Sequence, residues 1–527
     1  MQDIQESYDK LPYFSNAFVE TSPFRLEAIG KFLTLNPAKT DNARVLEIGC
    51  SYGGNLLPFA AQNPNAKILG IDLSQTQIQT ANELADKMGL KNIKFMQKDI
   101  CELSPQDVKG FEKFDYIVCH GVYSWVPDFV RDAILKVIKN FLDPNGIAYI
   151  SYNTYPGWKT KEVIREFLKF GTQNSNTPTQ KCERANELLD TFGLYLEFME
   201  QNETDIPHFQ ALNRYIKDLN GRSDTYIFHE FLESFNRPLW FKEFAQALDQ
   251  NGLSYLTDTN LDDIFHQNVG IKEFDEWVDI NFTDRIEKEQ ALDFFTNKTF
   301  RKSLVVHKES MGGGSGEFHA EIGVNELSLI NLSATFKKQS DGSYKGINDK
   351  LMKPEYNWLY DVFNKVCPES INFASLASLL DNENAVQTAY LGFLEILSKD
   401  CAILSTFKTE NIKYEVGKTR LKENLRGYFQ YFANNKKPVI GFSNMFNVKV
   451  KFSHIDAAMA LNFDGKKSID DIVTIAGNLL KTNKLTLSVY ETNVKPSDKK
   501  ESKKLLLEYV KNIEAMLSDN YFLENFS

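Results

Sequence analysis

Cysteine is scarce and scattered in this chain: six residues, at positions 50, 101, 119, 182, 367 and 401, with no Cys-x-x-Cys pair. That usage excludes a disulfide framework and a structural zinc site, and it reads as reduced thiols in a cytoplasmic protein. The seven histidines are isolated, with no His-x-x-x-His spacing, so no metal is expected. No run of 18 apolar residues occurs, and no membrane span is expected. The N-terminal Met1-Gln2-Asp3-Ile4-Gln5-Glu6 is acidic and polar, unlike a secretory signal. Positive charge is in deficit, 60 Lys and Arg against 71 Asp and Glu, for a net charge of −11. Nucleic acid needs a basic face, so it is not expected as a partner.

What the chain does hold is apolar bulk. Of its 527 residues 42% are hydrophobic and 40 are Phe, enough for the cores of two to four domains. Within that bulk one segment carries chemistry. The apolar run Ala43-Arg44-Val45-Leu46 leads into Glu47-Ile48-Gly49-Cys50-Ser51-Tyr52-Gly53-Gly54-Asn55. This predicts a short buried strand, a glycine-rich turn and a helix starting near Asn55. Such a turn brings bare backbone N–H groups against a ligand, and the helix terminus adds its dipole. Asp72 ends the next apolar run, Lys67 to Ile71, about 20 residues on, the spacing of a carboxylate that grips ribose hydroxyls. Asp99 ends Ile93 to Lys98, where a side chain meets an adenine amine.

This ordered series resembles the class I S-adenosylmethionine-dependent methyltransferases. Their motif runs acid-x-Gly-x-Gly-x-Gly, then an acid after the second strand and an Asp after the third. The middle glycine is Ser51 here, which also breaks a dinucleotide fingerprint. The resemblance implies S-adenosylmethionine as cofactor. It places Glu47, Gly49, Cys50, Ser51, Gly53, Asn55, Asp72, Leu73, Asp99, Ile100, His120 and Gly121 around it. Tyr8 and Tyr13 precede the first strand, either in an arm packed on the sheet or in a lid over the cofactor. Cys50 and Cys119 beside it read as packing residues rather than nucleophiles.

Strands at 43–48, 67–71, 93–97, 114–119 and 147–151 alternate with helices at 55–62, 75–88 and 128–141, and Asp143-Pro144-Asn145-Gly146 reads as a turn before the fifth strand. Alternation of this kind predicts a parallel sheet with helices on both faces and a ligand at the carboxyl ends of the strands. The family's closing helix and two strands are expected at 240–248, 253–256 and 300–307, the last antiparallel. The fold class is therefore α/β. A seven-stranded Rossmann-like sheet carries a helical insertion at about 158–238, and a C-terminal α+β region with winged-helix-like units follows. The expected organisation is an arm or lid at 1–40 and a methyltransferase domain at 41–310, with a regulatory-type region at about 215–300. A middle domain spans 311–410 and a C-terminal domain 411–527. Met311-Gly312-Gly313-Gly314-Ser315-Gly316 reads as a boundary and Lys495 to Lys504 as a solvated loop. A hairpin is expected around Ser340-Asp341-Gly342-Ser343, between 329–336 and Tyr344.

Beyond the core motif, Tyr8 to Phe18 before the first strand, Asn153-Thr154-Tyr155-Pro156-Gly157-Trp158, Phe228-His229-Glu230-Phe231-Leu232 and the Phe300 strand resemble bacterial methyltransferases with a methyltransferase regulatory domain, which include the rickettsial protein lysine methyltransferases. The resemblance implies methyl transfer to lysine side chains of a protein. A small or lipid-like acceptor and a non-catalytic cofactor-binding regulator are the alternatives. Tyr123, Trp125, Tyr155 and Trp158 follow strand ends on the cofactor side and are expected to form the acceptor pocket, with His229 and an adjoining carboxylate as a proton relay. The tail carries no cofactor motif. It is expected to select the partner, so that a chain ending near Gly312 keeps cofactor affinity, provided it folds.

Overall fold

In a computed structural model of the chain, the first five apolar runs are strands: β1 (Arg44–Ile48), β2 (Lys67–Asp72), β3 (Ile93–Gln97), β4 (Phe114–Cys119) and β5 (Leu142–Asn153). The structure describes residues 14–202, 207–261, 271–311, 322–380, 384–482, 485, 488–489, 492–493 and 499–526. Tyr8, Tyr13 and most of the expected Gly-rich boundary lie outside them. β4 is buried along its whole length, as a central strand covered on both faces must be. These five strands pair in parallel. The later β6 (Leu253–Asp258) and β7 (Phe300–His307) complete a seven-stranded sheet of order β3-β2-β1-β4-β5-β7-β6, with β7 antiparallel to both its neighbours. The last strand thus joins the first sheet despite about 150 intervening residues, as the motif order predicts.

The turn expected before β5 lies inside it. Leu142 already pairs with Phe114, and Asp143–Gly146 bulges out before pairing resumes at Ile147 opposite Tyr116. A bulge of this kind lets a Pro-Asn-Gly stretch leave the ladder without ending the strand.

Three apolar clusters organise the molecule. One face of the sheet packs on the helix Asp128–Phe141 and the helix Phe241–Gln250. The helical insertion has its own small core, built around Ile164, Leu189, Leu212 and Phe231. The other face is continuous with the C-terminal third: Leu56 and Ile68 share a cluster with Phe442 and Phe522. The helix Pro23–Phe32, named α1 here, lies between them, with Phe24 against Phe59 on one side and Phe407 and Phe446 on the other.

In the C-terminal third both helix–turn–strand segments form. Ala385–Ser398 precedes the strand Ile403–Ser405, and Lys499–Asp519 precedes Leu523–Asn525. Two expectations need correction. The hairpin at 340–343 joins Lys337–Lys338 to Tyr344–Lys345, while Asn331–Ser333 belongs to a different sheet, beside Ile371–Asn372 and Ile403–Ser405. Lys499 to Lys504 opens a helix rather than continuing a loop. The apolar stripe at Leu505, Tyr509 and Met516 packs on the core and carries the charged turn before it into helix.

The edge of the main sheet is held by ions. Arg301 on β7 donates to Asp293 at 2.8 and 3.0 Å, to Asp258 at 2.8 Å and to Glu289 at 3.0 Å, with its guanidinium 4.0 Å from the Phe241 ring. All three carboxylates are largely buried, and burial holds Asp293 up at about 6. Arg301→Ala is expected to cost roughly 3–5 kcal/mol, because it strands buried carboxylates without a counter-charge. Urea unfolding of the variant with Asp258→Asn and Asp293→Asn added should recover most of that loss; no recovery would show that the arginine acts through packing instead.

Candidate functional site

The carboxyl ends of β1 to β5 open into one cavity of about 590 Å³. Its floor is the glycine-rich turn. Gly49 N and Cys50 N both donate to Ile71 O, which pulls the turn across to β2. Ser51 adopts a left-handed backbone, φ 49°, at the position where the resembling family has glycine. For a non-glycine residue that conformation costs about 1 kcal/mol. It is offset by a charge-assisted bond: Ser51 N donates to Asp72 Oδ2 at 2.8 Å. Asp72 Oδ1 accepts from Ser74 N at 3.0 Å, and Ser74 in turn caps the helix Gln75–Lys87. Asp99 faces the same cavity and accepts from Cys101 N at 2.9 Å.

Glu47 is buried at the end of β1. Its Oε1 accepts from Asn55 Nδ2 at 3.1 Å, while Oε2 has no hydrogen-bond partner among the described residues. Burial raises its carboxyl to about 8; Asn55 opposes the rise and the charge of Asp72 adds to it. Cys50 and Cys119 are pushed up by the same burial, Cys119 to about 12, and stay neutral thiols. His120 is neutral as well: burial depresses it to about 4, and its Nδ1 lies 3.0 Å from Tyr149 OH and 3.1 Å from Ser151 Oγ. Gly121 N donates to the same Ser151 hydroxyl.

Of the expected cofactor residues, Glu47, Gly49, Cys50, Ser51, Asn55, Asp72, Leu73, Asp99, Ile100, His120 and Gly121 line the cavity. Gly53 does not. It turns beneath the floor, φ 75°, where an added Cβ would meet the Phe95 ring at 2.4 Å.

The roof comes from the segment ahead of β1, where the sequence predicts an arm or a lid, although the lid residues it names, Tyr8 and Tyr13, lie outside the described residues. Phe14, Ser15, Asn16 and Phe18 line the cavity from above. Ser15 Oγ accepts from Gly54 N at 3.0 Å, and Gly54 has no room for a side chain because its Cβ would lie 2.3 Å from Ser15 O. The Phe18 ring sits 4.2 Å from His120. This strap is held from outside by the C-terminal third. Ser15 N donates to Val439 O at 3.1 Å, Gly441 N donates to Ser15 O at 2.9 Å, and Asn447 Nδ2 reaches Phe18 O and Asn55 Oδ1. A chain ending near Gly312, which the sequence predicts to keep cofactor affinity provided it folds, would lack these partners of the roof.

At the far end of the cavity stand Trp125, Asn153, Trp158, Lys161, Tyr226, His229, Glu230 and Phe300. Two expected acceptor residues are not among them. Tyr123 is buried against Tyr152 and Phe244, and Tyr155 turns outward onto Trp240, with its hydroxyl on Glu162. Both rings are claimed by packing on the helix Phe241–Gln250 and the residue before it. His229 is bonded not to the adjoining Glu230 but to Glu233, one turn on, at 2.7 Å. Glu230 faces Lys161 at 3.7 Å, and burial raises its carboxyl above the ordinary range.

Residues 39–203 match a methyltransferase domain and residues 223–307 a predicted methyltransferase regulatory domain. The chain is 30% identical to the uncharacterized protein RP789 of Rickettsia prowazekii over 436 residues, 82% of this chain and 75% of that protein. It is 40% identical to the uncharacterized protein RP028 of the same organism over 250 residues, 47% of this chain and 96% of that one. Among solved structures, PKMT2 from Rickettsia typhi in complex with AdoHcy is 26% identical, with a TM-score of 0.81, covering 97% of this chain and all of that one.

The cavity suits such a cofactor. Glu47 Oε2 and Ser51 Oγ are buried polar atoms on its floor without hydrogen-bond partners among the described residues, and two carboxylates stand at the ends of β2 and β3. Asp72→Ala should weaken S-adenosylmethionine binding by roughly 1.5–3 kcal/mol per charge-assisted bond lost; wild-type affinity by calorimetry would refute the assignment. Glu47→Gln should do two opposite things. A carboxyl raised to about 8 by folding gives stability that is fully present below its unfolded value and is lost as pH rises toward 8. The variant should therefore melt above wild type at pH 8 without cofactor, and the gap should close toward pH 4. Its affinity for the cofactor should fall about tenfold or more at pH 8.

Proposed function

On the premise that this chain belongs to the S-adenosylmethionine-dependent methyltransferases with a methyltransferase regulatory domain, we propose that it methylates lysine side chains of a protein substrate. The supporting observation is the likeness to PKMT2, a rickettsial protein lysine methyltransferase, which runs through the insertion and the C-terminal third rather than stopping at the cofactor domain.

Bound S-adenosylmethionine supplies an electrophilic methyl group on a cationic sulfur. This chain's residues then have three tasks: to align an amine with it, to exclude water, and to take the amine's proton. Trp125 and Trp158 present apolar walls at the far end of the cavity, and ring faces hold a lysine stem or its cation. Lys161 Nζ already lies 5.0 Å from the Trp158 ring, which is how a cationic side chain sits there. Glu230 is the carboxylate of this end. Raised by burial, it is a stronger base than an exposed glutamate, and in this proposal it takes the ammonium proton. His229, held by Glu233, orients that wall. The reduced-thiol pattern of the cysteines supports a cytoplasmic location, and no helix among the described residues is long and apolar enough to cross a membrane.

One observation favours a smaller acceptor: Trp158 is fully buried, so it does not frame an open groove. Tritiated S-adenosylmethionine incubated with proteome extract and with a metabolite pool separates the readings. Label recovered as methyl-lysine after protein hydrolysis supports the proposal, and label confined to small molecules overturns it. Glu230→Gln should lower turnover on the protein acceptor by roughly 100-fold, with the loss shrinking as pH rises and free amine becomes abundant. Cofactor affinity should stay within about tenfold of wild type.

A further inference from the structure

Asn447 lies 392 residues from Asn55 in sequence, yet the two carboxamides meet in a buried pocket at 2.9 Å. Asn447 occupies a left-handed position, φ 61°, in a tight turn: Asn447 N donates to Asn444 O, and Asn444 N to Val448 O. Neighbouring Phe446 anchors that turn on Phe24 and Tyr521. The two hydrogens of the Asn447 amide have two acceptors, Phe18 O at 3.3 Å and Asn55 Oδ1 at 2.9 Å, so the orientation of its carboxamide is determined.

That orientation propagates. Asn55 Oδ1 receives Asn447 Nδ2 and Phe18 N, at 2.9 and 3.2 Å, and lies 2.9 Å from the Thr21 hydroxyl. With its oxygen committed to these donors, Asn55 presents its NH₂ to Glu47 Oε1. Reversed, it would set oxygen against oxygen at Glu47. We propose that Asn447 is a positioning residue of the cofactor site: it fixes the Asn55 carboxamide and, through it, the Glu47 carboxylate that receives a cationic cofactor.

The ionisable groups that face Glu47 are Asp72, Cys50 and Cys119. The thiols remain neutral, and the charge of Asp72 opposes ionisation of Glu47. The Asn55 amide is the contact that favours it, so its loss should move the titration of Glu47 upward. The inference concerns the cofactor alone and stands whichever acceptor is methylated.

Two full-length variants test it. Asn447→Gly keeps the left-handed backbone and removes the donor. Asn447→Asp keeps the shape but replaces the donor with an acceptor, which draws the Asn55 NH₂ away from Glu47. At pH 7 calorimetry with S-adenosylmethionine should show affinity about 3- to 10-fold lower for Asn447→Gly and more than about 10-fold lower for Asn447→Asp. In both, the midpoint of affinity against pH should move upward. A contact that merely fills space makes the opposite prediction, with glycine the worse variant and no displacement of the midpoint. Affinity for Asn447→Asp within about twofold of wild type, or equal losses at every pH, would overturn the proposal. So would failure of both variants to fold, since the contact would then hold the fold and not the ligand.

Discussion

A helix with no water-facing side constrains everything around it. Nine of the ten residues of α1 are buried, including Arg25 and Glu27. Charges in such a place need partners from several directions. Arg25 finds Thr259 O at the end of β6 and Asp400 in the C-terminal third; Glu27 finds Thr40 ahead of β1 and Thr406 beyond the strand Ile403–Ser405. With one ion of each sign bonded at once to the sheet domain and to the tail, neither half can shed the other without exposing apolar surface and stranding a charge. The C-terminal third is thus a layer of the same core, and its reach to the cofactor roof follows from that packing.

The cavity then divides into two chemical environments. The cofactor end is built of carboxylates, backbone donors and a neutral histidine, with Asp72 bonded to the turn, Asp99 to Cys101 N and His120 to Tyr149 and Ser151. The far end is aromatic, and among the described residues it holds the ion pair of Lys161 with Glu230 beside the His229–Glu233 bond. The first arrangement suits a ligand rich in hydroxyls and amines; the second suits a stem that must lose its proton in an apolar setting. The cofactor end sits on strand ends of the main sheet, while the far end adds Trp158, Lys161, Tyr226, His229 and Glu230 from the helical insertion to Asn153 and Phe300 of that sheet. Even the Arg301 cluster contributes, since it pins β7 beside Phe300, which opposes Asn153 where both line the far end.

Legibility followed the range of the interactions. The glycine turn, Asp72 and Asp99 could be read because strand, turn and helix impose local spacing, and even the delayed β6 and β7 announced themselves by apolar runs. The side chains with several possible neighbours could not. Tyr123 and Tyr155 occupy loops that start beside the cavity, but the helix Phe241–Gln250 and its leading Trp240 offer them larger apolar contacts. His229 sits next to Glu230 in sequence, yet helical geometry gives it Glu233, four residues on. Asn447 carries no motif at all; only the closure of the tail over α1 brings it near Asn55. The strap at 14–18 was visible as aromatic bulk, although nothing in its composition tells which surface it covers.

That strap and the tail segment holding it are made far apart in time, since 429 residues separate Phe18 from Asn447. A ribosome adding about 5–20 residues per second takes roughly 20–80 s to travel from Asn55 to Asn447. During that interval the sheet can form, but α1 has one side uncovered and the Asn55 oxygen lacks one of its donors. The nascent sheet domain therefore spends much of its synthesis with an unfinished cavity roof and apolar surface exposed. The roof of the cavity and the cover of α1 are complete only once Asn447 and its neighbours have been made, so an interrupted translation product is marked by its exposed helix.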